Sequence, residues 1–276
     1  MNLYYESSDG TIINFLEGPL NAQDPESLVA GKWSYSTISG VNGIGRVKRF
    51  WRSTEERKLK VNVLADNAAE FNAVMDLMHR TFDRDVRSMK PGKLWWNDYY
   101  KEVFAVESDH DEFDEQMESI EKTILFISVH PVWTKKTTFQ YLPSTVATGG
   151  LDYPMDYGFD YDQAVLIETV NNASIGEANF EIIFYGPCIN PSVTIEGHEY
   201  TLYVTLSAGE YATIDSKTKK IIKHAVDGAE ENIFHLRERE SYIFEPIPEG
   251  NISVMRSKSV GLDISIFDER GEPRWI

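Results

Sequence analysis

Apolar and polar residues alternate in short segments of the first half of the chain. Leu59, Val61 and Val63 alternate with polar residues, which is the pattern of a strand buried on one face. Residues 33–38 combine aromatic and β-branched side chains, and residues 124–129 are mostly apolar. These segments predict strands in the first half.

One segment of the first half has the periodicity of a helix instead. Its apolar residues recur at i, i+3, i+4, i+7 and i+11, which places them in one stripe on a helix surface. Asn67, followed three residues later by Glu70, resembles a capping box at the start of this helix. The stripe consists of Phe71, Val74, Met75, Met78 and Phe82.

A hairpin is predicted directly after this helix. Pro91 and Gly92 turn the chain into residues 93–96, which have the sequence KLWW. Asn97 and Asp98 are typical turn residues. The chain is therefore expected to return as a second strand through residues 103–106.

The second half has strand patterns throughout. Alternation on both sides of residues 196–199 predicts a hairpin, and several other short apolar segments are separated by turn residues. This spacing predicts an antiparallel β-sandwich. The predicted strands are residues 180–185, 193–195, 200–206, 211–214, 221–226, 241–244 and 262–266.

The two halves are separated by a segment with neither helical nor strand periodicity. Residues 137–151 carry no charge, and residues 152–161 have the sequence DYPMDYGFDY. We therefore predict an N-terminal domain over residues 1–137, a connector over 138–163 and a C-terminal domain over 164–276. The predicted fold is mainly β, with an N-terminal β-sandwich that contains one α-helix.

Composition and charge exclude or disfavour several classes of protein. The 276 residues are 42% hydrophobic and carry a net charge of −17, which predicts folded domains and disfavours binding to nucleic-acid phosphates. A single cysteine, Cys188, excludes an internal disulfide and a multi-cysteine zinc site. The first basic residue is Lys32 and no segment approaches about 20 apolar residues, so we expect neither a secretory signal nor a membrane span.

Candidate chemistry is sparse. No two of the six histidines have the i, i+2 or i, i+4 spacing of paired metal ligands. Residues 109–115 are acidic, but Phe113 and the absence of glycine disagree with a calcium loop, which leaves a solvated acidic loop as the expectation. Cys188 has no basic neighbour that would activate it as a nucleophile. We therefore predict no catalytic, cofactor-binding or metal-binding residues.

One basic and aromatic cluster stands out against the acidic composition. Residues 47–52 read VKRFWR, and this cluster could contact nucleic acid or an acidic neighbour. Glu55 and Glu56 follow closely, which favours a solvated strand whose basic residues pair with these carboxylates. The preceding glycines in residues 40–45 lack the spacing of a dinucleotide-binding loop, so a hairpin turn is predicted there.

Several segments together resemble the distal tail proteins of long-tailed bacteriophages and prophages. The segments are PGKL at residues 91–94, the Tyr- and Asp-rich connector, FYGPCINP at 184–191, FEPIPEGN at 244–251 and FDERGEPRW at 267–275. They occur in the same order over nearly the whole chain. The residues singled out as this structural signature are Tyr185, Gly186, Pro187, Asn190, Pro191, Pro246, Gly250, Arg270, Gly271, Glu272, Pro273, Arg274 and Trp275.

The resemblance implies a structural protein without catalysis. It implies an N-terminal domain that forms a homohexameric ring, and a C-terminal domain with a galectin-like antiparallel β-sandwich. The implied partners are the tail tube protein, the tape-measure protein and the tail-tip, baseplate and receptor-binding proteins. DNA would pass through the ring without specific binding, and the protein, made in the bacterial cytoplasm, would reside at the tail tip of the virion.

A ring requires a heterologous interface that closes by rotation. We expect exposed aromatic side chains and strand edges of the first domain to supply it.

A carbohydrate-binding module that contacts the host cell wall is the alternative from another class. Such a site needs aromatic and polar side chains on one face, and the candidates are Tyr200, Tyr203, Tyr211 and Trp275. The alternation pattern places Tyr200 in the core, which weakens this alternative. A hydrolytic enzyme is a third possibility, for which the sequence shows no constellation of residues.

Overall fold

The computed structural model describes residues 1–40, 45–110, 119–143 and 165–275. These residues form two compact units. Unit 1 contains Met1–Lys135 together with the described residues from Glu269 onwards, and unit 2 contains Lys136–Asp268. The C-terminal residues thus fold with the first unit, whereas the sequence placed them in the second domain. Residues 138–141, assigned from sequence to the connector, form the end of a strand.

Unit 1 is built from antiparallel strands and one long helix. The strands are β1 (Leu3–Glu6), β2 (Ile12–Asn14), β3 (Leu20–Gln23), β4 (Ser34–Ser39), β5 (Gly45–Trp51), β6 (Glu55–Leu64), β7 (Gly92–Trp96), β8 (Tyr99–His110), β9 (Ser119–Ser128) and the start of β10 (Trp133–Tyr141). The helix α1 spans Ala68–Ser88 and a 3₁₀ turn spans Pro25–Leu28.

Strand β8 belongs to two groups of strands in unit 1. Its first half pairs with β7, in the order β2–β1–β7–β8, and its second half pairs with β9, in the order β8–β9–β6–β3. The register of the β8–β9 pair shifts between Ala105 and Glu107. The alternating residues of β6 that the sequence assigned to one face, Leu59, Val61 and Val63, are fully buried.

Helix α1 confirms the predicted stripe and its start. Met78 and Phe82 are buried, and the Phe82 ring lies 5.2 Å from Tyr5 and 6.3 Å from Phe126. The side chain of Asn67 accepts a hydrogen bond from the Glu70 amide at 2.9 Å. The Glu70 carboxylate accepts in return from the Asp66 amide, one residue before the position that a capping box uses.

The contribution of the Asn67 helix cap to stability can be tested by substitution. Replacing Asn67 with alanine leaves the Glu70 amide without its acceptor, so the free energy of unfolding should fall by about 1 kcal/mol. Chemical denaturation measured by circular dichroism tests this value. Asn72, which is exposed in the second turn of the same helix, is the control position. An equal effect of both substitutions would mean that the cap contributes nothing specific.

A buried carboxylate joins the far end of the helix to the sheet. Asp85 is completely buried and accepts hydrogen bonds from Tyr5 Oη at 2.6 Å, Ser7 Oγ at 2.8 Å, Ser8 Oγ at 2.5 Å and the Ser8 amide at 3.1 Å. Burial, and then this hydrogen bond, raise the pKa of Tyr5, so its hydroxyl stays protonated and donates. The helix is thus held to the end of β1 by polar contacts as well as by its apolar stripe.

Unit 2 contains short antiparallel strands, as the sequence predicted. They are β11 (Val165–Asn172), β12 (Asn179–Tyr185), β13 (Cys188–Ile189), β14 (Ser192–Ile195), β15 (His198–Thr201), β16 (Thr205–Leu206), β17 (Tyr211–Asp215), β18 (Lys220–His224), β19 (Glu230–Asn232), β20 (Gly250–Ser257) and β21 (Gly261–Arg270). A 3₁₀ turn spans Phe234–Leu236.

Two sheets of unit 2 enclose one hydrophobic core. One has the order β11–β20–β14–β15, and the other has the order β19–β18–β17–β12–β21, with β10 beside β21. Side chains of both sheets belong to the same buried cluster, and Phe180 of β12 meets Tyr200 of β15 at 5.0 Å between ring centroids. The predictions of a mainly β fold and an antiparallel sandwich are confirmed.

One predicted strand is absent. Residues 241–244 form a turn, in which the Glu245 amide donates to the carbonyl of Tyr242 at 3.0 Å. Ile243 and Phe244 are nevertheless buried. The apolar pattern of this segment therefore indicated its burial correctly, although the segment pairs with no strand. The predicted turn at residues 41–44, the acidic residues 111–118 and the connector residues 144–163 lie outside the described residues.

Candidate interaction surface

Strands β4 and β5 form a hairpin that no other strand of the described residues covers. They pair only with each other, as a separate two-stranded sheet. Every residue of β5 is exposed, and β4 is exposed or half-buried. An isolated two-stranded hairpin is at best marginally stable in water, so this hairpin is a candidate for contact with another molecule.

One face of the hairpin is aromatic. Tyr35 and Phe50 are cross-strand partners with ring centroids 6.4 Å apart, and Trp33 packs on Phe50 at 6.5 Å. These three rings remain 56–63% exposed. The guanidinium of Arg52 lies 4.3 Å from the centre of the Trp33 ring. Large aromatic side chains and arginine are enriched at protein interfaces.

The hairpin is also strongly cationic. Residues 32–52 contain five basic residues and no acidic residue, whereas the rest of the chain contains 22 basic and 44 acidic residues. The remainder therefore has a net charge of −22. On the second face, the guanidinium of Arg49 lies 5.9 Å from the Trp51 ring. We call residues 32–52 the cationic hairpin.

An ion cluster directly follows the cationic hairpin along the chain. Glu55, the first residue of β6, binds Lys101 Nζ at 2.8 Å and Arg57 Nε at 2.8 Å. Lys101 is only 2% exposed and lies 4.6 Å from the Trp133 ring. Burial lowers the pKa of Lys101, and the carboxylate of Glu55 acts against this shift. Glu55 thus binds Lys101 of β8 and Arg57 of its own strand rather than the basic residues of β5, contrary to the sequence interpretation.

The C-terminal signature residues lie at the base of the cationic hairpin. A side chain on Gly271 would meet the guanidinium of Arg52, and Glu272 accepts a hydrogen bond from the Gly31 amide at 3.2 Å. Arg270 lies 5.9 Å from the Tyr99 ring, and Trp275 packs on Trp96 at 5.6 Å. Pro273 is buried, and Arg274 is exposed.

The remaining signature residues lie in unit 2. Gly186 donates its amide to the Glu210 carbonyl at 2.9 Å, and Tyr185 Oη donates to Asp263 at 2.9 Å. Asn190 and Gly250 have positive φ angles of 49° and 91°. Pro187 is exposed, Pro191 is buried and Pro246 is half-buried. The signature is therefore divided between the two units.

The residues considered for sugar binding do not form one face. Tyr200 is buried, as the alternation predicted, and Trp275 belongs to unit 1. Tyr211 is stacked on His224 at 4.4 Å, which leaves Tyr203 as the exposed member of this set in unit 2. Two other exposed rings of the unit, Phe234 and Tyr242, lie beside cations. For example, the guanidinium of Arg237 is 3.8 Å from the centre of the Phe234 ring.

No candidate metal centre is found in the described ranges. There, no group of three His, Cys, Asp or Glu side chains is arranged to hold a metal ion. Cys188 is half-buried, and burial raises the pKa of its thiol, which disfavours the thiolate. Where the structure describes the chain, no helix has the length and apolarity to cross a bilayer.

The sequence identified the basic and aromatic residues of this hairpin but did not predict their exposure on both of its faces. The signal was the run of aromatic residues among cations in an otherwise acidic chain. Nothing in the local pattern showed that both faces of the hairpin would be exposed, because an alternating strand normally covers a core with one face.

The fold resembles solved structures of phage proteins. It matches the Dit (gp 19.1) protein of phage SPP1, described as a hub adsorption apparatus of phages that infect Gram-positive bacteria, with a TM-score of 0.60 and 10% identity over 97% of this chain and 98% of that chain. It also matches a chain of the phage P2 baseplate in its activated conformation with Ca, with a TM-score of 0.63 and 14% identity over 99% and 100% of the two chains.

The P2 baseplate in its activated conformation with Sr gives the same TM-score and identity over 99% of both chains. No protein-family model and no curated protein matches the sequence. The match over almost the full length of both chains shows a shared fold, and the resemblance drawn from sequence is confirmed at that level.

Proposed function

We propose that this protein is a structural hub at the distal end of a phage tail. In this proposal six copies close into a ring that joins the tail tube to the tail-tip, baseplate and receptor-binding proteins. The tape-measure protein and then DNA pass through the ring. The supporting observation is the fold shared with phage hub and baseplate proteins over 97–99% of this chain.

The surface of unit 1 agrees with an assembling role. The cationic hairpin exposes four aromatic rings and four of its five basic side chains in a chain of net charge −17. Such a surface gives a heterologous contact when it meets an acidic surface, and heterologous contacts close into rings when the rotation between copies fits. The negative charge of the remainder is compatible with a DNA conduit, because an acidic wall repels phosphates.

The proposal predicts a defined assembly. Native mass spectrometry of the purified full chain should show a species at six times the protomer mass of 31.6 kDa. Since a ring could require the tail tube as a template, immunogold labelling of finished particles provides the second measurement, and label should lie between the tail shaft and the host-facing tip. Particles that lack the chain at this position would contradict the proposal, as would turnover of a substrate by the purified protein.

The carbohydrate-binding alternative has less support because its candidate side chains are dispersed or covered. A glycan array probed with the full chain tests it. Binding that is lost on Tyr203→Ala but retained on Tyr211→Ala would favour a sugar site around the exposed ring of Tyr203.

A further inference from the structure

We infer that the cationic hairpin of one copy binds a groove on unit 1 of the next copy, between helix α1 and strand β8. This inference rests on the proposed function, in which copies assemble side by side. It adds the two surfaces that would meet and the physical reason for their pairing. The hairpin and the groove are different parts of the same unit, so each copy offers one of each.

The groove is a concavity with an apolar floor. Its volume is about 550 Å³. Met78 and Phe82 of the helix are buried at its floor, while Val86 and Val106 on its two sides are 37% and 45% exposed. Exposed aliphatic side chains on both walls offer a surface that the aromatic face of the hairpin can cover, and covering it removes apolar area from water.

The walls of the groove carry carboxylates. Asp76 and Asp83 line it from the helix, and Glu107 lines it from β8. The basic groups in the lining are His79, His110 and Lys122, of which Lys122 is 8% exposed. Burial lowers the pKa of Lys122. Apart from the two histidines, the lining has three carboxylates and one ammonium group.

The two aspartates already have partners on their own helix. Asp76 pairs with Arg80 at 3.2 Å and Asp83 pairs with Arg87 at 2.7 Å, both at i,i+4 spacing. These pairs are largely exposed, and exposed ion pairs contribute little to stability because water screens them. The aspartates can therefore exchange these partners for arginines of a bound hairpin at little cost.

Charge disfavours the symmetric alternative, in which the hairpins of two copies contact each other. Two hairpins in contact would bring together five basic residues from each copy without a carboxylate, and like charges at an interface oppose binding. A contact between the hairpin and a groove that contains carboxylates avoids this repulsion. Such a contact is heterologous, so it propagates from copy to copy until a ring closes.

Two other cavities in the described residues fit the hairpin less well. The cavity at the base of the hairpin, of about 240 Å³, is lined by Lys32, Arg52 and Arg57 as well as Glu55 and Glu56. The cavity in unit 2, of about 320 Å³, has Asp263 as its only carboxylate, and that group accepts a hydrogen bond from Tyr185. The α1–β8 groove combines free apolar surface with several carboxylates.

Disulfide cross-linking tests the contact in the full chain. In a Cys188→Ser background, Val47→Cys in the hairpin and Val106→Cys in the groove should give a ladder of oligomers on mild oxidation. Either cysteine alone can give no product larger than a dimer. The control pairs Val47→Cys with Val129→Cys, which is exposed outside the groove. A ladder that is no stronger for Val106 than for Val129 overturns the inference.

Complementation between two variants tests the heterologous geometry. We expect Arg49→Glu with Phe50→Ala to block the hairpin, and Asp83→Lys with Val106→Lys to block the groove, each weakening self-assembly by about tenfold or more. Mixed together, the two variants retain one intact hairpin and one intact groove. They should form a 1:1 complex at twice 31.6 kDa and stop there. Assembly of either variant at the wild-type level overturns the inference.

These outcomes are separate from those of the proposed function. A hexamer that persists in both variants would agree with the proposed hub function and would rule out this interface. A cross-linked ladder in a protein that is absent from the tail tip would support the interface and would contradict the proposed hub function. If the hairpin variant assembles normally but no longer binds a DNA duplex that the wild type binds, the hairpin is a nucleic-acid contact and the inference is wrong.

Discussion

Replacing Asp85 with alanine is expected to lower the free energy of unfolding by about 3 kcal/mol or more, because each buried donor left without its acceptor costs about 1–3 kcal/mol. Asp85 is completely buried, and its carboxylate accepts hydrogen bonds from Tyr5, Ser7 and Ser8. Removing it leaves buried hydroxyl groups without their acceptor and creates a cavity between α1 and β1. Both effects act on the same contact between helix and sheet.

Tryptophan fluorescence is the appropriate measurement for this variant. All six tryptophans lie in unit 1, and unit 2 has none. The fluorescence-detected midpoint in urea should therefore fall for Asp85→Ala. Asp83→Ala is the matched control, because Asp83 lies two residues away on the same helix and pairs with the exposed Arg87. Its expected effect is about 0.5 kcal/mol or less.

An Asp85→Ala variant as stable as Asp83→Ala would show that the hydrogen bonds to Asp85 contribute nothing net. Asp85→Asn keeps the shape of the side chain but removes its charge. Its single amide oxygen can accept only some of the hydrogen bonds. We expect an intermediate loss of stability for this variant.

Replacing Gly186 with alanine is expected to destabilise unit 2 by about 3 kcal/mol. An added Cβ would lie 2.0 Å from the carbonyl oxygen of Ser207 and 3.0 Å from the carbonyl carbon of Leu206. Both obstacles are backbone atoms, so no side chain can rotate away. Relief requires the strand end at Tyr185 to separate from the segment after β16, which breaks the hydrogen bond from Gly186 to the Glu210 carbonyl.

Gly45→Ala is the control for this substitution. Gly45 has open space around its Cβ position, and neither glycine has a positive φ angle, so the two substitutions differ in steric contact and not in backbone strain. Circular dichroism in urea, which reports both units, should show the loss for Gly186→Ala. An unchanged midpoint, or an equal change for Gly45→Ala, would contradict the steric explanation.

The elements with strong local periodicity were predictable from sequence. The alternation of Leu59, Val61 and Val63 identified a strand of unit 1, and the spacing of Met78 and Phe82 identified the helix stripe. Asn67 identified the start of that helix. These predictions succeed because a strand or helix buried on one face must repeat apolar residues with its own geometric period.

Contacts between distant segments were not predictable. Nothing near Asp85 in the sequence shows that Tyr5 and Ser7 will surround it, some 80 residues away. Lys101 has the composition of a surface residue, yet it is buried against Glu55 and Trp133. Its burial depends on a carboxylate and a ring from other strands, and a local pattern carries no information on either.

The sequence by itself determined the mainly β class, the helix, most strand positions and the unusual charge of residues 32–52. Those properties depend on side-chain periodicity and composition. Only the tertiary structure decided that the cationic hairpin would be exposed on both faces, that the C-terminal residues would pack in unit 1 and that a groove would open beside α1. Each of these depends on which element packs against which, and that choice is made by the whole set of long-range contacts.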